Sequence, residues 1–262
     1  MRRARGALLT PLAVAALVAC NSAAEPAPMG RIETPTQSAT PVVEAAPSDD
    51  EPSLEEPVPG RQRSGFHGKI DRLPRELSAE MRGTTWKPGC PVALDDLRVL
   101  HFNYWGLSGV VKRGPMVVNA SVAQDVLWVF RQLFDSRFPL KRVGLTREFV
   151  PSKFEPVISS TRSVTASFNC RPVITPLGPG DDFSQHAYGL AVDVNPVQNP
   201  FVAADGFVRN TEARPYVDRS KDLPGMIHGG DVVVRSFAAI GWEWGGFWSG
   251  GKDYMHFSLL GR

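Results

Sequence analysis

Leu97 to Trp105, LRVLHFNYW, sets Leu97, Val99 and His101 against Arg98, Leu100 and Phe102 on alternate positions. Apolar residues in both registers predict a strand with both faces partly covered. Val110 and Val111, then Val117 and Val118, flank Lys112-Arg113-Gly114-Pro115, and the spacing predicts a hairpin turning on those four residues. Asn119 or Ser121 can cap a helix whose apolar positions Val122, Val126, Val129, Phe130 and Leu133 recur at helical spacing. A second helix of about ten residues is expected over VVVRSFAAI, capped by Asp231 and closed by Gly241. Ser163 to Cys170 is compatible with a strand that delivers Arg171 to an end stopped by Pro172, whereas Phe149 to Val164 is ambiguous. Gly65 to Met81 mixes charges with few apolar anchors, and Trp86-Lys87-Pro88-Gly89-Cys90 reads as a turn. Roughly 200 residues suffice for one well-buried domain. The economical architecture is α+β, a single domain with a small antiparallel sheet and flanking helices.

The remainder of the chain does not read as domain. Arg2, Arg3 and Arg5 precede an apolar run from Ala7 to Ala19 that is too short for a membrane-spanning helix and matches an export signal. Leu17-Val18-Ala19-Cys20 resembles a bacterial lipobox, making residues 1–20 a signal with Cys20 as the lipidated new terminus. Ordinary cleavage near Ser22-Ala23-Ala24 is the plainer reading, and either one exports the chain, with the lipid anchor holding it to a membrane. Residues 21–62 are expected to form a disordered linker. Proline recurs at 26, 28, 35, 41, 47, 52, 57 and 59, and eight acidic residues against Arg31 alone leave about −7, a composition with too little apolar surface to offset ordering. Set against a total of +2, the part from residue 61 onward then holds about +6. A mildly basic domain suits a polyanionic partner such as a bacterial wall. Without a basic-aromatic motif or a glycine-rich phosphate loop, no nucleic acid partner is expected.

Once Cys20 is assigned to lipid, Cys90 and Cys170 are left in an oxidising compartment, where two thiols most often pair. Metal ligation by these cysteines is the alternative, but a better ligand set lies downstream.

That set is His186 and Asp193 in SQHAYGLAVDVNP, with Asp253 and His256 in KDYMHFSLL. Two imidazoles and one carboxylate make a three-ligand zinc site with an open fourth position, and a spare carboxylate can then act on water. His186 and Asp193 are seven positions apart, which sends them to opposite faces of a strand or about 10.5 Å apart along a helix. A turn at Ala187-Tyr188-Gly189 resolves this by bringing His186 back towards a strand LAVDV, from which Asp193 projects on the side of Ala191. Asp253 is placed in a turn and His256 on a terminal strand. If His256 is the third ligand, Asp253 is free to serve as general base and then acid. His67, His101 and His228 read as ordinary core or surface groups. Trp242 and Trp244 read as core, whereas Trp248, beside Ser249-Gly250-Gly251, is the candidate wall of a substrate groove.

From about Thr161 to Leu260 these motifs resemble the zinc peptidase family of D-alanyl-D-alanine carboxypeptidases and dipeptidases and L-alanyl-D-glutamate endopeptidases. The resemblance rests on SxHxxGxAxD at Ser184–Asp193, GWEWGG at Gly241–Gly246 and DYMHF at Asp253–Phe257. It implies that residues 63–262 form a zinc peptidase domain with a motif-bearing core at 161–260. One Zn2+ per chain would sit on His186, Asp193 and His256, with Asp253 as catalytic base. It also implies a basic residue at the substrate carbonyl or carboxylate, for which Arg171 and Arg162 compete and Arg171 is favoured by its place after Phe168 and Cys170. Ser184 would hydrogen-bond the substrate or support a ligand. The carboxypeptidases and dipeptidases usually carry Glu where this chain has Asp253, which leans the reading towards the endopeptidases. One methylene less must be offset by a closer backbone or a longer water bridge.

The function expected is therefore an extracytoplasmic zinc peptidase acting on peptidoglycan stem peptides. Its rival is a wall-binding lipoprotein that keeps zinc without turnover. A purely structural site would normally close its fourth position, and the spare Asp253 argues against that rival. Export alone supports a third reading, periplasmic binding of a small ligand.

Overall fold

The computed structural model describes residues 65–146, 163–175 and 178–261, all within one compact unit spanning Gly60–Arg262. Residues 1–64, on which the expected export signal and linker fall, and Arg162 lie outside the described residues. Among those described, no helix is long and apolar enough to cross a membrane.

Three antiparallel strands form the larger sheet in the order β1 (Gly68–Arg72), β2 (Leu97–Trp105) and β3 (Val111–Asn119). Each face of β2 meets its own core. Leu100, Phe102, Met116 and Val118 bury into the main cluster, and Leu97, Val99 and Val117 into a second cluster with Met81, Leu94, Leu145 and Phe168. This is why LRVLHFNYW lacks a clean alternation.

The hairpin turns elsewhere than the sequence pattern suggested. Lys112 to Pro115 lie inside β3, with Phe102 opposite Gly114 and His101 opposite Pro115. The chain reverses instead at Gly106–Val110, where Gly106 N–H donates to Val110 O at 2.8 Å and Gly109 takes φ +74°. Proline is tolerated because β3 is an edge strand with half its amides unclaimed by the sheet. Gly114 answers a close approach, since a Cβ there would stand 2.5 Å from Val143 O.

The seven-residue α1 (Arg75–Met81) begins directly after Pro74 and buries Met81 in the second cluster. Asn119 caps a 3₁₀ turn, Ala120–Val122, by accepting from Ser121 N–H, and that turn leads into α2 (Ala123–Asp135). Val126, Val129, Phe130, Leu133 and Phe134 are buried, and Phe130 stacks on Phe102 at 4.4 Å. Burial of such side chains contributes about 1.5–3 kcal/mol each.

Helix α3 (Val232–Ala239) is shorter than expected but starts at Asp231, whose carboxylate accepts from Val234 N–H at 3.0 Å. Its Phe237 stacks on Phe257 at 4.2 Å and on Trp242 at 5.6 Å. Through that stack the main core reaches the strands that carry the chemistry.

Those strands are small. The hairpin of β4 (Pro172–Thr175) with β5 (Gly178–Phe183) carries no apolar alternation and was not expected. β6 (Ala191–Asp193) pairs with β10 (His256–Ser258), which also pairs with β8 (Glu243–Trp244). β7 (Phe201–Val202) pairs with β9 (Lys252–Asp253). Ser163 to Cys170 is no full strand: its strand-like pairing is confined to single bridges, Thr165 to Val143 and Ala166 to Asp193. Cys90 and Cys170 form a disulfide that closes a separation of 80 residues. The mixture of helices with small antiparallel sheets is an α+β fold.

Candidate metal centre

Asp193 is the last residue of β6 and His256 the first of β10, and antiparallel register sets them directly opposite each other. His256 Nδ1 lies 3.1 Å from Asp193 Oδ1. His186 arrives from a different element. Ser184 caps the 3₁₀ turn Gln185–Tyr188, and Gly189 ends it in the left-handed conformation at φ +69°. A Cβ at Gly189 would also meet Asn119 N at 2.5 Å, so only glycine permits both the turn and its seat against the end of β3. Asn119 Nδ2–H donates to Tyr188 O at 3.0 Å and fastens the seat.

This turn places His186 Nε2 3.3 Å from Asp193 Oδ1 and 3.2 Å from His256 Nδ1. Three buried ligand atoms thus form a nearly equilateral triangle. Tetrahedral coordination with bonds of about 2.0–2.1 Å requires donor separations of roughly 3.3 Å. The residues therefore fit a divalent cation with borderline-soft preference, and no fourth protein donor joins the group among the described residues.

The orientation of His186 is settled by backbone. Its Nδ1 is 2.7 Å from Ser167 O, a carbonyl that only accepts, so the proton belongs on Nδ1 and the Nε2 lone pair faces the triangle. Ser167 is held in turn through its Oγ–H to Ala191 O at 2.6 Å. The sequence carried no signal for Ser167, because its contribution is a main-chain oxygen.

Burial alone would raise the Asp193 pKa, but the adjacent His186 and His256 side chains outweigh it and hold the carboxyl well below its usual range. Asp253 behaves oppositely. Burial pushes it up to about 7, with the Asp193 charge adding to the rise while His256 and Arg171 oppose it. Asp253 lies on β9 rather than in a turn, and its Oδ1 is buried with no hydrogen-bond partner. Two carboxylates driven apart in this way can hold different tasks, one as ligand and one as proton acceptor.

Arg171 follows the disulfide at Cys170 and is half-buried. Burial lowers its pKa, while the charges of Asp193 and Asp253 raise it, so its guanidinium lies within the field of both carboxylates. Arg171 Nη1–H donates to Pro172 O at 3.1 Å. Ser184 is nearly buried, and its Oγ accepts from His186 N–H at 3.4 Å, which makes it a cap of the ligand-bearing turn. Trp248 is half-buried with its ring 5.5 Å from that of His256. Trp242 and Trp244 are buried core residues. Sequence reasoning passed over Phe201, an exposed aromatic paired directly with Asp253.

Three candidate metal ligands beside a spare carboxylate form an arrangement suited to metal-assisted hydrolysis. Residues 178–259 match the sequence model of a family described as D-alanyl-D-alanine carboxypeptidase. That segment, less than a third of the chain, contains His186, Asp193, Asp253 and His256 but not Arg171. Comparison with curated proteins and with solved structures found no match.

Proposed function

We propose that the protein is a zinc peptidase hydrolysing peptidoglycan stem peptides outside the cytoplasm. The observation that carries this reading is the buried triangle of His186, Asp193 and His256 together with a separate carboxyl, Asp253, that has an unpartnered oxygen and a pKa near neutrality. Zinc on those three residues would supply Lewis acidity, drawing electron density from the scissile carbonyl and easing proton loss from water.

The chain's own residues do the rest. Asp253, ionised, accepts the proton of the attacking water and passes it to the departing amine, a cycle suited to a group whose pKa lies close to the working pH. Arg171 stays cationic and offers its guanidinium to the developing oxyanion or to a substrate carboxylate. Trp248 supplies a flat apolar wall beside His256 for the peptide. Asp193 remains anionic throughout and keeps the triangle's charge balanced.

Export is part of the proposal: Arg2, Arg3 and Arg5, the apolar run Ala7–Ala19 and Cys20 support a lipid-anchored chain facing the wall. Two observations bear on which bond is cleaved, and they point in opposite directions. The family description favours the D-alanyl-D-alanine bond, whereas Asp253 in place of Glu favours the L-alanyl-D-glutamate bond.

Digestion of purified peptidoglycan with and without chelator, with fragments identified by mass spectrometry, tests the reading. Chelation should stop release, and zinc should restore it. Free D-alanine as sole product selects the carboxypeptidase, while stem peptides freed from the glycan select the endopeptidase. Digestion unaffected by chelation, or no digestion with one zinc bound, would sink the proposal.

A further inference from the structure

Gly245 is buried at the start of a 3₁₀ turn, Gly245–Phe247, directly after β8. Its φ lies outside the left-handed region, so the backbone there does not call for glycine. What calls for it is Asp253. A Cβ built on Gly245 would lie 2.5 Å from Asp253 O and 2.9 Å from Asp253 Cβ, closer than real Cβ atoms come to either.

Neither side can yield easily. Trp244 Nε1–H donates to Tyr254 O at 2.9 Å, tying the start of the turn to the residue after Asp253. Asp253 is also paired with Phe201 of β7, and the Phe201 ring lies against Gly251. The Asp253 backbone is thus tied to β7 and abutted by Gly245. Because Oδ1 has no hydrogen-bond partner to orient it, the reach of this carboxyl depends on where the backbone stands.

We propose that Gly245 is a positioning residue for the proton-accepting carboxylate: the missing side chain lets the Asp253 backbone stand close enough for a short aspartate to reach the reaction centre. The inference rests on Asp253 being the base. An alanine at 245 must push Asp253 by about 0.5 Å merely to restore a 3.0 Å contact. A misplacement on the order of 1 Å can cost about 100-fold in rate. A glutamate has one more methylene and would span the gap that alanine opens.

The test compares the zinc-loaded full chain with G245A, D253E, G245A/D253E and D253N, using purified peptidoglycan as substrate at limiting and saturating amounts. G245A should lose about 10- to 100-fold in kcat with KM within about twofold. Zinc should stay near one per chain, with unchanged affinity in chelator competition. D253E alone should also lose about 10-fold or more through overreach, and the double variant should regain at least about tenfold over G245A.

Wild-type kcat in G245A overturns the inference, as does a slow G245A that D253E cannot rescue. Should G245A fail to fold, D253E decides alone, and a wild-type rate there overturns it. Full activity in D253N would remove Asp253 as base and this inference with it. An inactive D253N beside an unimpaired G245A removes only the inference.

Discussion

His256 and Asp193 face each other across the β10–β6 pair, with Nδ1 3.1 Å from Oδ1. Two of three candidate ligands are therefore fixed by strand register rather than by flexible loops. Such pairing costs little reorganisation when a cation arrives.

Replacing any corner of the triangle should abolish stable metal loading. H186A, D193A and H256A are each expected to weaken zinc affinity by more than about 100-fold, beyond the 10- to 100-fold typical of supporting residues. Metal analysis after dialysis against a weak chelator reads this directly, and retention of one zinc by D193A would contradict the ligand set.

G189A should disturb the site without touching a ligand. The left-handed conformation costs an ordinary residue about 1–2 kcal/mol, and the new Cβ would run into Asn119 N. A melting temperature lower by about 2–8 °C, with weakened zinc binding, is the expected result. N119A, which loses both the bond to Tyr188 O and the cap on Ser121 N–H, should shift the melting temperature in the same direction.

Removing the disulfide should cost about 4 kcal/mol in the loop-entropy model for 80 enclosed residues. For a domain near 200 residues this lowers the melting temperature by roughly 10 °C. Since Arg171 adjoins Cys170 and lies outside the metal triangle, C90A/C170A should lose hydrolysis more than zinc. Thermal melts with and without reductant, alongside metal content, check both parts.

The two carboxyls impose opposite pH dependences on the metal-free protein. Asp193 has a lowered folded pKa, so its contribution is present above the ordinary value of 3.8 and is lost as pH falls. Asp253 has a raised one, so its contribution is full below 3.8 and is lost as pH rises through about 7. With chelator present, melting temperature should therefore peak in mildly acidic solution. D253N should flatten the decline towards neutral pH, and an unchanged decline would show that another group causes it.

Trp248→Ala should raise KM by about tenfold while leaving kcat nearly unchanged, because a large aromatic wall holds the ground state and the transition state alike. A fall in kcat alone would move Trp248 from the groove to the support of His256.

Much of the site was legible because its chemistry is written in residue type and short spacing. The turn at Gly189, the cap at Asp231 and the buried face of α2 all follow from local rules acting over a few residues. The Lys112–Pro115 turn failed for an equally physical reason: glycine and proline there answer to an edge strand and to Val143, neighbours invisible along the chain. The β4–β5 hairpin was missed because it has no apolar alternation to betray it.

By itself the sequence determined which groups could hold a metal, since two imidazoles and two carboxylates in those motifs allow few other uses, and it determined the bend that returns His186 towards its strand. The tertiary structure decided which carboxylate stands with the imidazoles and which stands apart. Asp193 and His256 are 63 residues apart and meet only through antiparallel register, itself set by Phe257 and Val192 burying into the main core. It also decided the proton on His186, through a carbonyl with no sequence signature, and the closeness of Asp253 to Gly245. Those outcomes belong to packing, where the position of one backbone depends on the atoms of another.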